Sequence, residues 1–555
     1  MMVGKDENRP TYFLGSVVYY KPSVQTRRSV ESLLVIDGQQ RLTTSILLLT
    51  ALARYLEANQ EPLADTTSSR KIRAYYLTND LEAGDLSQRL LLTKRDKPTL
   101  TAVVNNNPLP EFAAERVCNN FAFFTERINA TNVAALWAGI SKLMVVEVVL
   151  EPGVDNPQLI FESLNSTGKR LDDADLIRNY VLMGQAPEIQ NALYERYWNP
   201  MEEAFGAAYS TMFNEFMRDF LAMKLGRLVN IYTVYDTFKK DYAVGKTTPN
   251  QVDTLAAELY EHAKYYVRLR QLSPEDHPAL RQALKQLSSF GVTVAYPYLL
   301  SAYAASSAGQ LSKDELAEVV RMIERYVVRR AVCGVPTNTL NNTFVGFRRQ
   351  LAAENYLDSV KRHFLELGSS RRFPRDEEFR QNLVMRDTYH ASRTRSYLLR
   401  HLENYQRREK VNIGEYTVEH IMPQNENVSA EWQQELGENW QEVHRRYLHT
   451  LGNLTLTGYN SELSDRPFEV KKQMPGGFVS SPIKLNQSVA VEPVWNEAAI
   501  LKRANMLADW AIAIWPAPQV AESIMMEEEE VDEEAEEAAL AEAGLLEADP
   551  TDEQE

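Results

Sequence analysis

The spacing of apolar and polar positions divides the chain into zones. In residues 11–183 the pattern is that of α/β structure. Tyr12 to Tyr20 is rich in aromatic and β-branched residues and predicts a strand. Leu33 to Ile36 is a second short apolar run that stops at Asp37-Gly38. Leu42, Ile46, Leu49, Leu52, Ala53 and Leu56 then recur at helical spacing. Lys142 to Leu150 predicts another strand, followed by the segment Ile160 to Gly168 and a helix from Asp173 to Met183. Residues 184–365 predict mostly helix, for example Asn191 to Tyr197, Thr254 to Leu272 and Lys313 to Val332. No catalytic cluster stands out there. This zone reads as a helical connector that could present a substrate-facing or self-association surface. In residues 366–515, helices are predicted at Arg393 to Gln406 and Trp495 to Trp515, the latter with Ile500, Leu507, Ala511 and Ile514 inward. Trp515-Pro516 should end the ordered part. The expected fold class is α+β and predominantly helical.

Composition adds bounds. A chain of 555 residues with 44% hydrophobic positions has room for two to four cored domains. It contains no apolar run of the roughly 18 residues that a membrane span needs. Its first residues, MMVGKDENRP, lack the apolar core of a signal peptide. Two cysteines, Cys118 and Cys333, exclude a disulfide framework or cysteine-rich zinc site and fit a reducing cytoplasm.

A net charge of −16 argues against a nucleic-acid partner until its location is considered. Residues 516–555 hold sixteen acidic residues and no Lys or Arg, which leaves 60 basic and 60 acidic residues in 1–515. The body is therefore neutral and can carry basic patches. The tail is expected to be solvated and largely disordered, acting as a solubilising segment or as a self-inhibitory mimic of DNA.

The most chemically specific pattern lies at residues 415–471. It runs Tyr416-Thr417-Val418-Glu419-His420-Ile421-Met422-Pro423-Gln424, then Leu451-Gly452-Asn453-Leu454-Thr455-Leu456, then Tyr459-Asn460. Thr417-Val418 and Leu454-Thr455-Leu456 favour strands, and a short helix can begin at Ser461. Two strands and a helix bring Glu419, His420 and Asn460 together. Phosphodiester cleavage needs an activated water and neutralisation of the scissile phosphate. Neutral histidine accepts a proton near physiological pH, which casts His420 as the base. Glu419 and Asn460 offer oxygens to one divalent cation, Mg²⁺ or similar. Asn453 reads as a brace whose amide spans the loop 421–452 and fixes the His420 ring. A lone histidine would more often be structural, but three motif residues in order favour the nuclease reading. His444 and His449 read as packing or DNA-facing residues, with a second catalytic role as the alternative.

A second pattern, Val35-Ile36-Asp37-Gly38-Gln39-Gln40-Arg41-Leu42-Thr43-Thr44, joins a strand to a helix through one glycine. Free N–H groups at the helix start make an anion site. Gly38 permits close approach of a phosphate, and Arg41 can grip it bidentately. Many such junctions bind nothing, so these residues alone leave nucleotide binding open.

The 415–471 pattern resembles the His-Asn-His (ββα-metal, or His-Me finger) nucleases. From about residue 370 to 515 the chain resembles the C-terminal domain of GmrSD-type modification-dependent restriction proteins. Their pattern continues with an aromatic residue and a lysine, here Phe468 and Lys471. Asp37-Gly38-Gln39-Gln40-Arg41-Leu42-Thr43-Thr44 resembles the ParB-like N-terminal domain of the same family. A second element of that domain is matched by Phe161-Glu162-Ser163-Leu164-Asn165-Ser166-Thr167-Gly168-Lys169-Arg170-Leu171 and by Asp175-Leu176-Ile177-Arg178-Asn179. The resemblance implies a nucleotide site at Asp37, Gly38, Gln39, Gln40, Arg41, Thr43, Asn165, Gly168 and Lys169, for GTP, CTP or ATP. In the family a Pro-x-Tyr-Gln-Arg-type segment and a helix precede the strand that here begins at Tyr12. The expectation is a module without that first segment, through a mis-assigned start, a truncation or a real difference, so NTPase activity stays open.

The expected organisation is a ParB-like nucleotide-binding or sensing domain at 1–183, a helical connector at 184–365, a nuclease domain embedded in helices at 366–515 and an acidic tail at 516–555. The expected function is metal-dependent cleavage of DNA, including modified DNA, in restriction or anti-phage defence. No membrane partner is expected, and a homo-oligomer is left open. The alternatives are a nucleotide-gated DNA sensor with an inactive nuclease and an RNA-directed nuclease.

Overall fold

The structure is a computed structural model, and it describes residues 11–20, 32–59, 67–92, 96–150, 173–182, 187–242, 249–352 and 354–519. It is predominantly helical with two small sheets. The chain forms two compact units, Met1–Gln190 and Asn191–Glu555.

In the first unit, β1 (Tyr12–Tyr20), β2 (Leu34–Asp37) and β3 (Leu143–Leu150) form one sheet in the order β2-β1-β3. β2 runs antiparallel to β1, and β3 runs parallel to it. A parallel neighbour requires a long crossover, which the helices between β2 and β3 supply. The first of them, α1 (Gln39–Asn59), buries the predicted stripe at Leu49, Leu52, Ala53 and Leu56 in a core shared with Val103, Val117 and Val133. A helix at Asp173–Leu182 follows as expected, while Ile160 to Gly168 lies outside the described residues.

The second unit is built of helices around one two-stranded sheet. The predicted helix Lys313–Val332, here α2, matches its expected bounds because Ser312 and Glu315 form a reciprocal capping box at its start. Asn191 to Tyr197 is split between an α-helix ending at Leu193 and a π-helical turn at Tyr194–Trp198. Thr254 to Leu272 lies mostly within the helix Pro249–Leu269, ending before Gln271, whose φ is 58°. Arg393 to Gln406 appears as α3 (Ser392–Glu403). It stops early because Asn404 bonds both the N–H and the carbonyl of Val411. There follow β4 (Thr417–His420), α4 (Trp440–Tyr447), β5 (Leu454–Thr457), α5 (Asn460–Leu463), α6 (Phe468–Gln473) and α7 (Glu497–Ile514).

α7 starts at Glu497 because the Asn496 side chain caps it by accepting from Ala499 N–H. Ile500, Leu507 and Ala511 are buried on its inner side, and Ile514 is only half-buried. The buried Arg329 of α2 donates to the carbonyls of Trp515 (2.7 Å) and Pro374 (2.9 Å) and pairs with Asp376 (2.6 Å), tying α2 to the end of α7. Cys118 and Cys333 are free thiols. Among the described residues no helix is long and apolar enough to cross a membrane. The acidic tail from residue 520 lies outside the described residues.

Candidate nuclease site

β4 and β5 pair antiparallel, with Glu419 opposite Thr455 and His420 opposite Leu454. The β-branched Thr417, Val418, Thr455 and Thr457 suit this pleated pair. Beyond His420 the chain turns inward, and Ile421 and Met422 enter a core with Trp432, Tyr447, Phe468, Trp495 and Ile500. Burial of these side chains folds the 421–452 loop back onto the strand.

The turn into β5, Leu451–Asn453, is set by close packing against α7. A Cβ at Gly452 would lie 2.6 Å from the Ile500 carbonyl, so only glycine fits. From α7, the buried Arg503 donates to the carbonyls of Leu451 (3.2 Å), Gly452 (2.8 Å) and Leu454 (2.9 Å). Within that turn the fully buried Asn453 accepts from Met422 N–H (2.8 Å) and Trp495 Nε1–H (3.1 Å). Its amide donates to the carbonyls of Met422 (3.2 Å) and Leu448 (2.9 Å). The side chain thus spans both ends of the loop that leaves His420, the geometry that a brace requires.

His420 is 4% exposed, and both ring nitrogens have partners. Gln424 Nε2 donates to Nδ1 at 2.5 Å, and Nε2 lies 3.2 Å from His449 Nδ1. Tyr389 meets the ring edge-on at a centroid distance of 4.4 Å. Burial, followed by the nearby His449, Lys471, Arg395 and His390, pushes the imidazole down to about 3, so the ring is neutral at physiological pH.

Beside it, the buried Glu419 accepts from Lys471 Nζ at Oε1, 2.6 Å away. Lys471 also donates to the carbonyls of His420 (2.9 Å) and Ile421 (3.1 Å). Burial pushes the Glu419 carboxyl up and the Lys471 ammonium down, and each charge opposes the other's shift. Asn460, at the start of α5, donates Nδ2 to the Val418 carbonyl at 3.1 Å, which seats its amide beside β4. The Asp465 carboxylate lies close enough to raise Glu419 further. Among the described residues, Glu419 Oε2 and Asn460 Oδ1 accept no hydrogen bond. Two hard oxygens from a carboxylate and an amide fit Mg²⁺, which binds few protein ligands and retains waters. Among the described residues no group of three or more His, Cys, Asp or Glu side chains is placed to hold a metal ion, so protein ligation here would rest on Glu419 and Asn460 alone.

Sequence reasoning anticipated Glu419, His420, Asn453, Asn460 and Lys471 but not several neighbours. Tyr389 reaches the site through a bridge between Asp387 and Thr450. No local pattern marks a residue 31 positions upstream of His420. Gln424 stands inside the quoted motif, so spacing could have flagged it, and His449, read from sequence as packing, DNA-facing or a second catalytic residue, is placed against the His420 ring.

In the N-terminal unit, Gly38 has φ 94°, and a Cβ there would crowd Val17 and the Ser16 carbonyl. The glycine lets the turn approach β1. Arg41 donates to the Ser16 carbonyl and pairs with Asp37 at 3.4 Å. Gln39 bonds the Val35 carbonyl, Thr43 bonds the Gln39 carbonyl, and Gln40 is exposed. The box residues thus join β2, β1 and the start of α1. Asn165, Gly168 and Lys169 lie outside the described residues.

Comparison with known proteins yields two family models. The GmrSD restriction endonuclease N-terminal domain matches residues 6–182, and the GmrSD restriction endonuclease C-terminal domain matches residues 373–510. No curated protein matches the chain. The two matched segments cover more than half the chain in family order, and the second contains the whole His420 constellation; the chain belongs to the GmrSD restriction endonuclease family.

Proposed function

We propose that this chain is a metal-dependent DNA endonuclease whose reaction centre is His420 with Glu419, Asn460 and Asn453. The observation that carries this reading is the juxtaposition on β4. A neutral, clamped imidazole adjoins a carboxylate and an amide that, among the described residues, each keep an oxygen unpaired, inside the segment matched by a restriction endonuclease domain. His420 takes a proton from water. The hydroxide attacks phosphorus, the P–O bond to the leaving strand breaks, and the leaving oxygen is protonated by solvent. Glu419 and Asn460 would hold a divalent cation, which when bound would neutralise charge on the phosphate and the leaving oxygen. Lys471 holds Glu419 and the His420 backbone in place, and Asn453 keeps the following loop from drawing the ring away.

The test is nicking of supercoiled plasmid by the full chain in Mg²⁺ and in EDTA, with Asn460→Ala in parallel. Cutting in Mg²⁺ alone, lost in the variant, supports the reading. Equal cutting by the variant overturns the ligand assignment, and cutting of RNA alone transfers the site to an RNA substrate. The N-terminal unit is read as a nucleotide-binding control module, supported by the strand–glycine–helix junction at Gly38. Titration of labelled GTP, CTP and ATP tests it, and absence of binding by all three removes that part.

A further inference from the structure

We propose that His449 is the positioning residue of the site: it fixes the His420 ring through Nε2 and leaves Nδ1 as the nitrogen that meets water. This rests on the reading of His420 as the base.

The two partners of the His420 ring are held very differently. Gln424, on the Nδ1 side, is an exposed side chain at the end of a flexible stem. Water can replace its amide at little cost. His449, on the Nε2 side, is half-buried and anchored from several directions. Its carbonyl accepts from the N–H groups of Thr388 (2.9 Å) and Tyr389 (3.2 Å). Its ring stacks on Tyr389 with centroids 5.4 Å apart and planes 17° apart, and His390 packs edge-on at 4.7 Å. Tyr389 is itself pinned, since Arg395 lies over its ring at 4.7 Å and bonds its carbonyl. Immediately before His449, the Leu448 carbonyl is bound by Asn453. The brace on the loop and the partner of the ring are therefore neighbours in one rigid segment.

The hydrogen-bond directions agree. With Gln424 donating to Nδ1, the proton of neutral His420 sits on Nε2 and is donated to His449 Nδ1. The partner of one imidazole nitrogen decides which form the other takes. A fixed His449 that accepts at Nδ1 holds this tautomer, whose lone pair points to the side occupied by the exposed Gln424. Its ring hydrogen-bonds His420, and among the described residues no hydrogen bond joins it to Glu419 or Asn460, which separates its role from cation binding.

The experiment uses the full chain with His449→Phe, which keeps an aromatic ring on Tyr389 but removes the acceptor, and His449→Asn, whose amide replaces Nδ1. The expected result is that His449→Phe lowers kcat for plasmid nicking by roughly 10- to 100-fold with KM little changed, and that His449→Asn recovers most of the rate. In protein labelled with ¹⁵N-histidine, with His420 assigned through His420→Gln, the wild-type His420 signals should report one Nε2–H tautomer. His449→Phe should mix the tautomers. Wild-type cutting by His449→Phe, equal inactivity of both variants, or unchanged His420 signals in His449→Phe would each overturn the proposal. The nitrogen signals do not depend on cutting. If the wild type fails to cut, the endonuclease reading falls while the tautomer comparison still decides the role of His449.

Discussion

The ammonium of Lys471 lies 2.6 Å from Oε1 of Glu419, and both side chains are buried beneath the strand that carries His420. Removing one member of such a pair strands the other charge away from water. Lys471→Met is expected to cost about 3–5 kcal/mol in denaturant unfolding. The double variant Lys471→Met, Glu419→Gln should lose less than the single one. An equal or larger loss in the double variant would show that the pair is not what Lys471 stabilises.

Asn453 makes four hydrogen bonds within the core. Asn453→Ala leaves Met422 N–H and Trp495 Nε1–H without partners, at an expected cost of roughly 2–3 kcal/mol. Because the same bonds position the loop beyond His420, cutting by the folded fraction should also fall. Unfolding curves and nicking rates on the same preparation check both parts.

The depressed His420 imidazole gives a signed pH dependence. Its folded value of about 3 lies below the unfolded value near 6.5, so the unfolded chain binds more protons between those limits. The stability contribution is complete above about pH 6.5 and is lost as pH falls toward 3. Between pH 7 and 5 the loss should be on the order of 2 kcal/mol, and His420→Gln should lack it. The same burial predicts no acid limb near pH 6.5 in kcat/KM. A limb centred there would mean that the ring titrates as an exposed histidine.

Gly15, at a register shift in β1 with φ 116°, has the Arg41 guanidinium about 3.1 Å from where a Cβ would stand. Gly15→Ala is expected to destabilise the N-terminal unit by about 1–3 kcal/mol through backbone strain and displacement of Arg41. Differential scanning calorimetry should read this as a lowered melting temperature of the N-terminal unit. An unchanged profile would remove Arg41 from the support of β1.

Much of this architecture was legible because it is local. Aromatic and β-branched runs located β1, a second apolar run located β3, and the helical pattern of Lys313 to Val332 located α2, whose capping box only the structure shows. The motif from Glu419 to Lys471 could be read because the family pattern holds those residue types in one order, although the segment that crosses between the strands is long. What stayed hidden depends on contacts distant in sequence. Arg503 grips the Leu451–Asn453 turn from α7, and Trp495 shares the Asn453 oxygen. Tyr389 reaches His420 only after the 386–391 loop docks on Thr450. Lys471 was visible as a motif residue, but its hold on Glu419 depends on burial that spacing does not encode. Gly38 was expected to admit a phosphate; the close approach that the structure shows there is that of the neighbouring strand.

The claim that His420 activates water is tested most directly by the rate at which purified His420→Ala nicks supercoiled plasmid in Mg²⁺, compared with wild type at equal folded concentration. Loss of a general base predicts a fall of roughly 10²- to 10⁴-fold with the melting profile retained. Cutting by His420→Ala at the wild-type rate would contradict the account.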